Sequence, residues 1–141
     1  MSHIVSIRTR ITSLENLERA ARDCGMQLNL GQKEFKAYYR GEGGGCQHAI
    51  VCPDLPQAYS IGVVQAGDGW ELKFDSFCGG GGLINRCGDG AGRLLQRYSL
   101  HQAQARAEEL GWEVQEETEA DGTIKLYCTP QAQAAWAQQG W

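Results

Sequence analysis

Apolar and polar side chains alternate most sharply in residues 59–77, YSIGVVQAGDGWELKFDSF, where Tyr59, Ile61 and Val63, then Trp70, Leu72 and Phe74, recur with a period of two. That period marks half-buried strands, and Ala66-Gly67-Asp68-Gly69 between them supplies residues that tolerate the positive φ of a tight hairpin connection. Residues 4–11 alternate in the same way, so a first strand is predicted, with Ser6, Arg8 and Arg10 on its outward side. Thr12 and Glu15 have capping-box spacing, Leu14, Leu17, Ala21 and Cys24 recur at three and four, and Gly25 suits a helix stop. A helix is therefore predicted after the first strand.

The same reading carries through the rest of the chain. Residues 34–40, with Phe35, Ala37 and Tyr39 on one side, predict a second strand, and a glycine loop follows. His48 to Cys52, stopped by Pro53, predicts a third. The run CGGGGLINRCGDGAGR after Phe77 reads as a mobile loop, because glycine loses more backbone freedom on ordering than any other residue. A second helix is predicted from near Asp89 or Gly92, with Leu94, Leu95, Tyr98, His101, Ala105 and Leu110 on its buried face and Gly111 as its stop. Two strands, residues 112–118 and 123–128, then flank the turn Ala120-Asp121-Gly122, with Trp112 and Val114 on one side and Glu113, Gln115 and Glu117 on the other. The expected fold is α+β: a mainly antiparallel β-sheet with two helices packed on one face, in the order β-α-β-β-β-β-α-β-β. Residues 1–128 are expected to form one domain, and 129–141, with Trp136 and Trp141, a short helix or a frayed tail.

Composition adds limits. With 141 residues, 42% hydrophobic and 21% charged, the chain is long enough to bury a core and has no apolar run of membrane-spanning length. The start MSHIVSIRTRI lacks the pattern of a secretory signal, so a cytoplasmic or plastid-stroma-like location is expected, with the six cysteines as thiols. A net charge of −4 disfavours general nucleic-acid binding. Charge is unevenly spread: Glu108 to Asp121 holds seven acidic residues and no basic one.

The opening MSHIVSIRTRI, the segment YYRG, the hairpin YSIGVV with GWELKFDSF, and the stretch LLQRYSLHQAQARAEELGWEV occur in that order. Together they resemble the plastid and cyanobacterial family called hypothetical chloroplast reading frame thirty-five and its bacterial relatives. The likeness covers roughly residues 1–128, although Tyr38-Tyr39-Arg40-Gly41 only approximates the family segment and the loop from Cys78 to Gly92 is richer in Gly and Cys. The resemblance implies a small non-membrane domain and supplies no mechanism.

Candidate chemistry is sparse. Cys46, Cys52, Cys78 and Cys87 flank glycine-rich loops and offer an alternative reading as a zinc, iron-sulfur or redox-sensing site, but their spacings are wider than those of structural zinc pairs. Gly88-Asp89-Gly90-Ala91-Gly92 lacks a phosphate-loop pattern, and His3, His48 and His101 have no catalytic partner set. Arg8, Arg10, Arg40, Arg93 and Arg97, with the aromatic residues Tyr38, Tyr39 and Trp70, are candidates for contact with a partner, and the basic stripe of Arg8, Arg10, Arg93, Arg97 and Arg106 also for nucleic acid or an anion. The expectation is a non-enzymatic protein-interaction module or small adaptor subunit, with another protein as partner, no cofactor and no membrane association.

Overall fold

The structure is a computed structural model and describes residues 4–38 and 45–130. The class and the order of elements are those read from the pattern: antiparallel sheets with two long helices. The chain divides into two compact units, residues 1–98 and 99–141, and passes from one to the other within a helix.

In the first unit a five-stranded antiparallel sheet has the order β1-β5-β4-β3-β2, built from β1 (Ile4–Ile11), β2 (Gln27–Leu30), β3 (His48–Val51), β4 (Ile61–Ala66) and β5 (Gly69–Asp75). The central hairpin forms as its alternation requires: Val63 stands opposite Leu72, and Ala66 opposite Gly69 across the Gly67-Asp68 turn. One face carries Leu28, Ile50, Ile61, Val63, Leu72 and Phe74. Against it pack Leu17, Ala20 and Ala21 of α1 (Leu14–Asp23), Leu83 and Cys87 of the short α2 (Leu83–Cys87), and Leu94 and Tyr98 of α3 (Gly92–Glu109). Burying each large apolar side chain stabilises the fold by roughly 1.5 to 3 kcal/mol. Helix α1 begins one residue later than its sequence suggests: Ser13, not Thr12, is the N-cap, and its Oγ accepts from the Asn16 amide at 3.1 Å.

The structure departs from the sequence pattern in two places. Of the segment 34–40, expected to be the second strand, residues 34–38 do not form it, and Tyr39 and Arg40 lie outside the described residues. That strand is β2, where Leu28 and Leu30 continue an alternation that starts at Met26 just before it, and Glu34 makes only an isolated bridge to Gly45. Residues 35–38 instead run across the second face of the sheet. There the Lys36 amide donates to Ser60 Oγ at 2.6 Å, the Lys36 carbonyl accepts from the Ser60 amide at 3.1 Å, and the Tyr38 amide donates to the buried Asp75 carboxylate at 2.8 Å. Phe35 lies over Gly62, where any Cβ would collide with its ring, and joins Cys46, Ala49 and Val64 in a second small core. Alternation in 34–38 thus reflects a covering segment that plugs the sheet.

The glycine run is also ordered structure. Cys78 and residues 79–81 have φ between 51° and 70° and form one left-handed turn, which leads into α2. Only glycine enters this region cheaply, so the four glycines answer a geometric demand. A Cβ on Gly81 would fall against the Gln57 carbonyl oxygen, and the Tyr59 amide donates to the Gly80 carbonyl.

In the second unit, β6 (Trp112–Thr118) and β7 (Ile124–Pro130) form a two-stranded antiparallel ribbon after the C-terminal half of α3. Trp112 pairs with Pro130 and Thr118 with Ile124. Leu100 and Ala107 are the buried helix positions in this unit, while Leu110, expected on the buried face, is exposed. Trp136 and Trp141 of the tail lie outside the described residues. Among the described residues no helix is long and apolar enough to cross a membrane.

Candidate interaction surface

Most of the basic candidates are occupied within the chain. Arg97 Nε donates to Asp23 Oδ2 at 2.9 Å, which ties α3 to the end of α1, and Arg93 Nη1 donates to the Asn85 and Arg86 carbonyls at 2.6 and 3.3 Å at the end of α2. Arg10 pairs with Asp68 at 2.5 Å on the surface of the central hairpin. Trp70 stacks at a tilt on His48, 5.0 Å between ring centres, and Tyr38 meets Phe77 edge-on at 4.6 Å. The side chain of Arg8, and Tyr39, Arg40 and His3, lie outside the described residues. Arg10, Arg93 and Arg97 thus join separate segments of the first unit, an assignment the residue types alone do not reveal.

The cysteines are dispersed between different surroundings, and all six are free thiols. Cys46 belongs to the small core under Phe35, Cys52 and Cys87 to the main core, and Cys78 is exposed on the left-handed turn. Among the described residues no group of three or more His, Cys, Asp or Glu side chains is arranged to hold a metal ion. What the structure does bring together is Cys87 with Cys52 and with Cys24. One guanidinium marks the place: Arg86, next to Cys87, donates to the Gly25 carbonyl at 2.6 Å and to both Asp54 carboxylate oxygens at 3.1 and 2.7 Å. Burial pushes the Cys87 thiol up to about 12, helped by its two thiol neighbours, and raises Cys24 and Cys52 as well. These thiols stay protonated and behave as small apolar groups.

The second unit has the opposite character. Against seven acidic side chains between Glu108 and Asp121 it sets Arg106 and Lys125, and these pair locally with Glu109 at 2.9 Å and Glu119 at 2.6 Å. Large apolar groups remain in contact with solvent: Leu110, Trp112 and Tyr127 are 45%, 39% and 49% exposed, as many as in the far longer described part of the first unit. Strand register places Trp112, Val114, Leu126 and Cys128 on one side of the ribbon, and Glu113, Gln115, Glu117, Lys125 and Tyr127 on the other. On the second side every one of these residues is exposed.

A groove of about 280 Å³ is lined by Gln104 and Glu108 of α3 and Trp112 and Val114 of β6. Gln104 and Glu108 are one helical turn apart and share a face; Trp112 and Val114 share a face of the strand. Gly111, at φ 72°, supplies the left-handed step that turns the chain from the helix into β6. The described lining includes no β7 residue, and among the described residues no strand pairs with the outer edge of β6. The groove thus accompanies an open strand edge. The acidic strand, and the placing of Trp112 and Val114 on one side of it, are legible in the sequence. The place of Gln104 and Glu108 beside them is not, although the helical phase counted back from Gly111 carries the signal. Comparison with protein-family models, curated proteins and solved structures gave no match to this chain.

Proposed function

We propose that this protein is a non-enzymatic interaction module that captures an extended segment of another protein along β6. The observation that carries the reading is the open seven-residue edge of β6 with the Trp112 groove beside it. An unpaired edge presents main-chain donors and acceptors to an incoming strand, and an adjacent pocket selects among its side chains. Among the described residues β1, β2 and β7 also have an unpaired edge; β2, at four residues, offers little template, and β6 is preferred to β1 and β7 because the Trp112 groove lies beside it. Arg10, Arg93 and Arg97 are engaged within the first unit, which favours the ribbon as the interface.

The test is selection of random linear peptides on the full chain, counter-selected on Trp112→Ala, followed by backbone hydrogen exchange of the complex. Enriched peptides should slow exchange in β6 and lose affinity for the variant. Peptides that leave β6 exchange unchanged would show that the docking surface lies elsewhere.

A further inference from the structure

Resting on that reading, we infer that the segment taken up along β6 is cationic, with an arginine or lysine side chain seated in the groove formed by Glu108, Gln104, Trp112 and Val114.

Three independent features converge on a cation. The groove combines an aromatic wall with a carboxylate: the exposed face of an indole attracts a guanidinium or ammonium group through its ring quadrupole, and Glu108 supplies an acceptor of opposite charge. Gln104, one helical turn from Glu108, adds an amide oxygen as a neutral acceptor, and Val114 gives the aliphatic stem of a long basic side chain an apolar surface to lie on. A groove of about 280 Å³ is matched to one such side chain and is too small for a folded element.

The strand beside the groove repeats the same preference. An extended partner turns alternate side chains to opposite sides of the ribbon, so one set meets the groove side and the other meets Glu113 and Glu117. Tyr127 stands opposite Gln115, midway between those two glutamates, and presents a second exposed ring on that side. Both sides therefore offer carboxylate and aromatic groups. An acidic segment, or a phosphate backbone, would meet like charge along the whole of β6.

The experiment uses the full chain and three synthetic peptides of equal length that alternate valine with arginine, glutamine or glutamate. Binding is followed by fluorescence anisotropy at low and at high salt. The Arg-Val peptide should bind, weaken as salt rises, and lose about fivefold to tenfold in affinity with Glu108→Gln and with Trp112→Ala, while Trp112→Phe retains most of it. Circular dichroism of each variant separates loss of the site from loss of the fold, and Glu71→Gln, in the first unit, serves as a charge control with unchanged binding. Equal binding of the Gln-Val peptide, protected at β6 and indifferent to Glu108→Gln, would overturn the cationic assignment and leave strand capture standing. Binding by none of the three, with peptides from random selection still protecting β6, overturns it equally. If no peptide of any kind protects β6, strand capture falls too.

Discussion

The Tyr59 amide donates to the Gly80 carbonyl oxygen at 2.8 Å, which fastens the left-handed glycine turn to the segment entering β4. The turn is held on its other side by the close passage of Gly81 over Gln57. A methyl group at Gly81 meets two penalties, a φ of 65° and the Gln57 carbonyl, so Gly81→Ala should destabilise the protein by about 2 to 4 kcal/mol. Gly79 has a similar φ of 70° but open space around it, and Gly79→Ala should cost only about 1 to 2 kcal/mol. Urea denaturation of both variants tests the difference. Equal and negligible losses would return the run to the status of a slack connection.

Tyr98 joins α3 to the start of α1. The Tyr98 hydroxyl oxygen accepts from the Thr12 and Ser13 amides at 2.9 and 3.2 Å, at the point where β1 gives way to the helix. Helix starts leave amide donors without intrahelical partners, and the ring that brings this acceptor is itself buried. Tyr98→Phe keeps the packing and removes the acceptor, which should cost about 1 to 3 kcal/mol in urea denaturation. Slowed amide exchange at Thr12 and Ser13 in the wild type, lost in the variant, assigns the cost to this contact.

These two cases show what can be read from the chain and what cannot. The central hairpin is legible because alternation and turn chemistry are both local: Val63 faces Leu72 as soon as Gly67-Asp68 is placed at the turn. The glycine run is not, because a slack loop and a left-handed turn have the same composition, and only the proximity of Gln57 separates them. Phe35 alternates with its neighbours whether it sits in a strand or plugs the space above Gly62, so the pattern of residues 34–38 does not distinguish the two roles. Four-residue β2 gives too short a pattern to stand out beside it. At the candidate site the acidic strand is visible in the sequence, whereas the meeting of Glu108 with Trp112 depends on how the chain turns at Gly111.

His48 links stability to pH. Burial first, and the positive charge of Lys33 second, hold its imidazole below the ordinary 6.5. The Gly31 amide donates to His48 Nδ1 at 2.9 Å, a contact that requires that nitrogen to be bare. The unfolded chain therefore takes up this proton at a higher pH than the folded one. The contribution of His48 is complete above pH 6.5, declines as pH falls from there through the depressed folded value, and is level below it. Urea denaturation between pH 7.5 and pH 5 should show that decline in the wild type, with a shallower slope in His48→Asn. Identical slopes for the two proteins would remove His48 from the account.

Thiol reactivity separates the six cysteines by environment. Cys78 and Cys128 are exposed, whereas Cys24, Cys46, Cys52 and Cys87 are buried. Burial raises the pKa of all four, Cys87 furthest, to about 12, so at pH 8 they present almost no thiolate to an electrophile and little access to it. Brief treatment of the folded protein with iodoacetamide at pH 8, followed by peptide mass spectrometry, should modify Cys78 and Cys128 and leave the other four for a second, isotopically distinct reagent added in denaturant. The corner shared by Cys24, Cys52 and Cys87 gives the sharper form of the prediction. Arg86→Ala opens the clamp over Gly25 and Asp54, and modification of these three thiols should then accelerate several-fold while Cys46, in the separate core under Phe35, stays protected. Acceleration of all four together would mean that the substitution loosens the whole unit, and that Arg86 does not secure this corner in particular.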